Sequence, residues 1–224
     1  MRRRSKQKTV VRVPGHAGMA LPRATRQGSL PPVKIGFLGG SFDPVHFGHL
    51  LAARDACEHC ALDRVILVPA ARVPLKARAA RASTADRLAM LRAAVADDPR
   101  FEVSDHELRR GGVSFTIDTV RHFAAEFPGA RLFWILGADQ VARLPGWKDI
   151  AALAGLVEFA VVGRPGFVVR RPHGIPGLRL HRCAGHELGL SSTDLRARAR
   201  RGLPLEWLTP HKTVVYLQRK RLYR

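Results

Sequence analysis

Gly39-Gly40-Ser41-Phe42-Asp43-Pro44-Val45-His46-Phe47-Gly48-His49 is the stretch on which the fold turns. Before it lies Val33–Leu38, a short apolar run that reads as a buried strand stopped by the two glycines. Within it, Asp43-Pro44 reads as an N-cap followed by a first helical position. The helix it opens is expected to run to about Cys60, with Leu50, Leu51, Ala53 and Ala56 available for packing. A strand, a glycine turn and a helix in that order make a phosphate-binding junction. Gly39 and Gly40 let the backbone approach an anion, and the helix N-terminus supplies free amides and a positive dipole end. Ser41 and Phe42 complete the turn. His46 and His49 are three apart and share a helix face, so both imidazoles can donate to phosphate oxygens. Gly48 removes the side chain between them, so that a ligand can lie against the turn. Zinc is another use for such a pair, but two histidines are too few without further ligands at readable spacing. The loop lacks the Gly-Lys-Ser/Thr of a Walker A segment and also Gly-x-Gly-x-x-Gly.

Outward from this stretch the elements alternate. Val65–Val68 reads as a second buried strand, so the first unit is strand–helix–strand with parallel pairing and a right-handed crossover. Ser83 caps a helix through Val95, with Asp86 completing a weak capping box. Phe101–Val103 is a short strand, Thr116–Glu126 a helix, and Arg131–Leu136 and Phe159–Val162 are further apolar strands. Leu178–Leu180 is a candidate fifth strand. Two helices follow, one after Ser191-Ser192 and one from Thr209-Pro210 through Tyr216. This alternation predicts an α/β fold, a doubly wound parallel sheet in a single domain over residues 33–224. Such sheets bind ligands at the carboxyl ends of their strands, where the strand order switches.

Three more segments carry chemistry. Leu190-Ser191-Ser192-Thr193-Asp194-Leu195-Arg196 opens a helix with stacked hydroxyls, free amides and one arginine, a set suited to triphosphate oxygens. Taken alone it also fits an ordinary serine-capped helix. Gly137-Ala138-Asp139-Gln140 follows a buried strand, and Leu144-Pro145-Gly146-Trp147 comes soon after. Asp139 is placed either to accept from ribose hydroxyls or to cap a helix. Val113-Ser114-Phe115-Thr116-Ile117-Asp118-Thr119 begins another helix.

Together these motifs resemble a known family. The HxGH of residues 46–49 is similar to the signature of the nucleotidyltransferase superfamily. Residues 190–196 resemble the (I/L)SST-x-(I/L)-R motif of its adenylyltransferase branch. Residues 137–147 and 113–119 resemble the GAD-x(4)-L-x-x-W and S-(Y/F)-T-x-(D/N)-T segments of the bacterial nicotinate-nucleotide adenylyltransferases. The resemblance runs from Val33 to about Tyr223, in the family's order. It implies a Rossmann-like nucleotidyltransferase domain that joins ATP and nicotinate mononucleotide into deamido-NAD and pyrophosphate, with no covalent intermediate and with Mg2+ carried by the ATP. It implies His46 and His49 at the reacting phosphates, and Gly39, Gly40, Ser41, Phe42, Lys76, Gly137, Asp139, Ser192, Thr193 and Arg196 around the ATP. It implies that backbone amides near Thr116 hold the nicotinate carboxylate and that Trp147 stacks on the pyridine ring, where an electron-poor ring suits an indole face. No protein-held metal is implied. The chain departs from the family at Val73-Pro74-Leu75-Lys76, where many members carry a histidine beside the lysine.

Composition bounds the alternatives. The chain has 224 residues, with 46% hydrophobic and 25% charged, as ordinary globular domains have. No apolar run approaches the roughly 18 residues of a membrane span, which excludes a spanning protein. The basic N-terminus is not followed by an apolar stretch of a secretory signal. Three cysteines form no disulfide framework, and the reading is a reducing, cytoplasmic protein. Cys57-Glu58-His59-Cys60 falls at the end of a helix, where thiolates are not activated, and reads as packing. The net charge is +20, from 38 Lys and Arg against 18 Asp and Glu. Arg2, Arg3, Arg4, Lys6, Lys8, Arg12, Arg23 and Arg26 contribute to it with no acid before residue 33. Residues 1–32, rich in Pro and Gly, read as a disordered basic tail, as an Arg-rich presequence, or as the product of a start placed too far upstream. A basic body suits nucleotides or nucleic acid, but aromatic platforms for nucleic acid are few and that partner is not expected. The sequence leaves the oligomeric state open, a homo-oligomer included.

Overall fold

The computed structural model describes residues 31–74 and 80–224. The expected basic tail, apart from Pro31 and Pro32, and Lys76 lie outside the described residues. The elements run β1 (Lys34–Gly40), α1 (Phe47–His59), β2 (Arg64–Pro69), α2 (Thr84–Val95), β3 (Phe101–Val103), α3 (His106–Arg110), α4 (Thr116–Glu126) and β4 (Arg131–Gly137). They continue with α5 (Ala138–Val141), a 3-10 turn at Leu144–Gly146, α6 (Ile150–Leu156), β5 (Glu158–Val162), β6 (Leu180–Cys183), α7 (Ser192–Arg200) and α8 (His211–Arg219).

The six strands form one sheet in the order β3-β2-β1-β4-β5-β6. Every pairing is parallel, with Phe37 opposite Ile66 on one side and Trp134 on the other. Strand order therefore reverses at β1, and the crevice outside β1 and β4 is where such a sheet takes a ligand. Side chains alternate to two cores, as the pleat requires. Ile35 and Phe37 of β1 join Leu132, Trp134 and Leu136 of β4 on one face, packed by Ile117, Val120 and Phe123 of α4. Leu38, Phe133 and Ile135 face the other way, covered by Ala53 and Ala56 of α1, Met90 and Leu91 of α2, and Val214 and Leu217 of α8. Among the described residues no helix is long and apolar enough to cross a membrane.

Two local expectations are corrected. The helix after the glycine turn begins at Phe47, with His46 as its N-cap, and not at Asp43-Pro44. Asp43 is buried, and its carboxylate accepts instead from the Arg81 and Ala82 amides at 2.7 and 3.0 Å and from the Tyr223 hydroxyl at 2.6 Å. The sixth strand is Leu180–Cys183 rather than Leu178–Leu180. Leu178 packs into the core from the turn before the strand, whereas the strand itself carries His181 and Arg182, polar residues that an edge position tolerates. Ser83 caps α2 as expected, accepting from the Asp86 amide at 3.1 Å. Cys57, Cys60 and Cys183 are free and buried, with the Cys60 and Cys183 sulfurs 3.9 Å apart. The helices α3, α5 and α6 were not expected.

Candidate active site

The site is assembled where β1 and β4 end. Gly39 lies against the Trp134 ring: a Cβ there would come within 2.8 Å of Cζ2, so only glycine lets β1 run beside this tryptophan. The chain then turns through Phe42, whose φ of +46° is in the left-handed region. That conformation is unfavourable for a bulky residue, and complete burial of the Phe42 ring offsets it.

His46 and His49 meet at the start of α1. Their rings stack with centroids 3.7 Å apart. The His46 backbone amide donates to His49 Nδ1 at 3.3 Å. This bond takes up the Nδ1 lone pair, so a neutral His49 carries its proton on Nε2. Phe42 touches the His49 ring edgewise. His46 is 3% exposed. Burial, with Arg164 nearby as a second cause, pushes its pKa down to about 4. At neutral pH it is therefore an uncharged donor or acceptor, and its ring closes a reciprocal capping box with His49 at the start of α1. Gly48 acts differently from the expectation. A Cβ there would lie 3.0 Å from His46 Nδ1 and 3.1 Å from Cε1, so the glycine makes room for the His46 ring.

Residues 191–196 hold this loop in shape. Ser191 is the N-cap of α7 and accepts from the Asp194 amide. Arg196 donates to the Asp43 carbonyl at 2.7 Å and to the Thr193 hydroxyl at 3.0 Å, and Ser192 donates to the Pro44 carbonyl at 2.9 Å. Thr209 donates to the Val45 carbonyl at 2.8 Å. Three consecutive carbonyls before the histidines are thus each satisfied by a side chain from the far end of the chain. Asp139, in the first turn of α5, receives Gln140 Nε2 at one oxygen and lies 3.5 Å from Arg164 Nε at the other.

A second group forms at the N-terminus of α4. Phe115 is the N-cap and has no side-chain cap bond, and its carbonyl accepts from the Asp118 and Thr119 amides, so the Thr116 and Ile117 amides open the helix. Trp147, half-buried, packs against the same core as Phe115. Lys148 connects the two, with Nζ 3.3 Å from Asp118 and 4.7 Å from the Phe115 ring centroid. Among the described residues the structure therefore gathers Gly39, Gly40, Ser41, Phe42, His46, His49, Ser192, Thr193 and Arg196 about one loop. Gly137 and Asp139 sit at the end of the neighbouring strand, and Thr116 and Trp147 are joined through Lys148 and Asp118.

Three residues escaped the sequence reading. Arg87, 1% exposed, donates through one nitrogen to the carbonyls of Ser41 and Ala70, each at 2.8 Å, and fixes a positive charge beneath the glycine turn. Burial lowers its pKa. Its signal was its place on the apolar stripe of Met90, Leu91 and Val95. Arg164 follows β5 at the sheet's carboxyl edge, a position that alone could have marked it. Glu107 is buried with no local pattern to announce it.

A glycine turn at a switch point, with a histidine pair beside it, is the arrangement a nucleotidyltransferase calls for. Residues 37–198 match the cytidylyltransferase-like family model. A relative from Opitutus terrae named "Probable nicotinate-nucleotide adenylyltransferase" is 58% identical over 192 residues, covering 86% of this chain and 98% of its own. Relatives of the same name from Clavibacter michiganensis and Desulfitobacterium hafniense are 40% and 36% identical, each covering 87% of this chain and 96% and 97% of their own. The chain belongs to the nicotinate-nucleotide adenylyltransferase family. The nicotinic acid mononucleotide adenylyltransferase of Plasmodium falciparum, solved with NaAD, shares the fold at a TM-score of 0.67 and 17% identity, over 85% of this chain and 97% of that one.

Proposed function

We propose that the protein transfers the adenylyl group of ATP to nicotinate mononucleotide, giving deamido-NAD and pyrophosphate, and that it does so in the cytoplasm. The observation that carries this reading is the pairing of two subsites at one sheet edge. The histidine pair lies at the start of α1, and the uncapped amides of α4 stand near Trp147.

The mononucleotide phosphate oxygen attacks the α-phosphorus of ATP in line, and the bond to the pyrophosphate oxygen breaks. The attacking phosphate is already a nucleophile, so no side-chain base and no covalent intermediate are required. Catalysis is positioning and charge stabilisation. His49 Nε2–H and the uncharged His46 donate to phosphate oxygens. Gly39, Gly40, Ser41 and Phe42 present backbone to the triphosphate, with the Arg87 charge beneath them. The α7 first turn, Ser192 and Thr193, faces the same phosphates and Arg196 holds the loop. Lys76 adds a cation, and Asp139 with Gly137 receives the ribose. Magnesium enters with the ATP as part of that substrate, its ligands mainly phosphate oxygens and water. Residues 33–224 form the catalytic domain, and residues 1–32 a basic tail outside it.

The α4 amides are donors only. A carboxylate offers them two charged acceptors, whereas a carboxamide must turn an NH2 toward one donor and leave it unpaired. Sites of this kind discriminate by about 10⁴-fold at the strong end. The test is pyrophosphate release from ATP with nicotinate and nicotinamide mononucleotides. A marked preference for nicotinate in kcat/KM is expected, and Trp147→Ala should raise KM for both while changing the preference less. Equal kcat/KM for the two would refute the substrate and leave adenylyl transfer standing.

A further inference from the structure

Glu107 stands on α3, the five-residue helix between β3 and α4. It is 3% exposed. Among the described residues no arginine or lysine comes within ion-pair distance of it, although α3 carries Arg109 and Arg110. Its neighbours are hydroxyls. Thr119 Oγ1 donates to Glu107 Oε1 at 2.5 Å, and the Ser114 hydroxyl lies beside the same carboxyl and favours its charged form. Burial pushes this carboxyl's pKa up, and the two hydroxyls pull it part of the way back. A buried carboxylate held by two neutral donors is costly to keep, and a packed apolar side chain would be the simpler filler.

What the arrangement achieves lies in the positions of the two hydroxyls. Ser114 and Thr119 bracket Phe115, Thr116, Ile117 and Asp118, which is the N-cap and whole first turn of α4. Ser114 also accepts from the Ala71 amide at 3.1 Å, and its own amide donates to the Arg72 carbonyl at 2.9 Å. Arg72 and Val113 form an isolated parallel bridge beside it. One run of contacts therefore links the segment after β2, the Ser114 hydroxyl, Glu107 and Thr119 of α4. Asp118, inside the bracket, holds Lys148 next to Trp147. The carboxylate is the only member of this run that can accept from both hydroxyls at once, because an ionised carboxylate is an acceptor at both oxygens.

We infer that Glu107 is a positioning residue for the pyridine subsite, fixing the first turn of α4, with its Thr116 and Ile117 amides, against the segment after β2, so that the ring's carboxylate meets two donors already in place. The inference rests on the proposed function for the identity of that ligand. It touches no reacting atom. In Glu107→Gln the carboxamide keeps one acceptor oxygen and presents an NH2 in place of the other, so one of the two hydroxyls loses its acceptor and must turn its hydrogen elsewhere, which weakens the hold on Thr119 or Ser114. The first turn of α4 loosens while both cores stay packed. Small misplacements of a binding group at such a distance from the chemistry weaken a substrate by an order of magnitude or more.

The experiment measures KM for each substrate separately in wild type, Glu107→Gln, Thr119→Val and Thr119→Ser. Hydrogen exchange of the backbone over residues 115–119 is followed in the substrate-free proteins. The expected result is a rise of roughly tenfold or more in the KM for nicotinate mononucleotide in Glu107→Gln and Thr119→Val, with the KM for ATP within twofold of wild type. Thr119→Ser, which keeps the donor, restores the wild-type value. Exchange over 115–119 quickens in the first two variants and not in the third. Parallel rises in both KM values, or unchanged exchange over 115–119, overturn the inference. If wild type fails to turn over nicotinate mononucleotide, the proposed substrate falls, and the exchange measurement still decides whether Glu107 holds the α4 turn.

Discussion

Acid is the perturbation that reaches the histidine pair most directly. Folding removes His46 from water and places it near Arg164, which brings its pKa from 6.5 down to about 4. The unfolded chain takes up a proton there near pH 6.5, and the folded chain resists it until about pH 4. The stability linked to His46 is therefore fully present above 6.5 and is lost progressively as pH falls from 6.5 to 4. The loss amounts to about 3 kcal/mol at its limit and about 2 kcal/mol by pH 5. Against a total stability of about 5–15 kcal/mol this is a large fraction. The assay is urea unfolding at pH 7.5, 6 and 5 of wild type and His46→Gln, a variant with nothing to titrate at that position. Groups such as Glu107 and His106 titrate in both proteins and cancel in the comparison. Wild type is expected to lose about 2 kcal/mol more than the variant between pH 7.5 and 5. Parallel pH profiles, or a His46 ring resonance titrating near pH 6.5, would refute the claim that the ring is held neutral by burial.

Two further substitutions test the frame around the site. Arg87→Met keeps the volume but leaves the Ser41 and Ala70 carbonyls without their donor; a loss of about 4 kcal/mol and a fall in Tm of roughly 8–16 °C are expected by calorimetry, and a change under about 3 °C would show that the buried charge is dispensable. Gly48→Ala must push the His46 ring from its place beside the glycine; kcat is expected to fall by roughly a hundredfold, as for loss of a preorganised donor, with Tm little changed, and near-normal turnover would mean that the ring position is not critical.

The β1–α1–β2 unit was legible because a buried parallel strand is a continuous apolar run and this one ends on glycines. The fold class followed from alternation alone. The misreading of Asp43 has a physical source. A capping signature is local, but the partners that claim its carboxylate, Arg81, Ala82 and Tyr223, lie up to 180 residues away. Arg87 and Glu107 were hidden for the same reason. A buried charge is tolerated only through carbonyls or hydroxyls that the fold brings to it, and for Arg87 these sit in two separate loops. The short helices α3, α5 and α6 offer too few residues for a helical period to show. The edge strand β6 was displaced in the reading because its middle is polar. The candidate site residues were readable as motifs. What the motifs could not tell is that Ser192 and Arg196 bond to the loop's own carbonyls, and that Gly48 serves the neighbouring imidazole.

Those bonds to the Asp43, Pro44 and Val45 carbonyls span 153, 148 and 164 residues. On a ribosome the loop residues emerge early, yet the side chains that hold their carbonyls are made about 150 residues later. A nascent chain stopped after β5 carries both histidines and most of the sheet but lacks the struts that shape the turn before them. Contacts of such long sequence separation form late, because closing the intervening loop must precede any gain from it. The shape of the turn before the histidines thus waits for residues 192–209 and is not built up gradually along the chain.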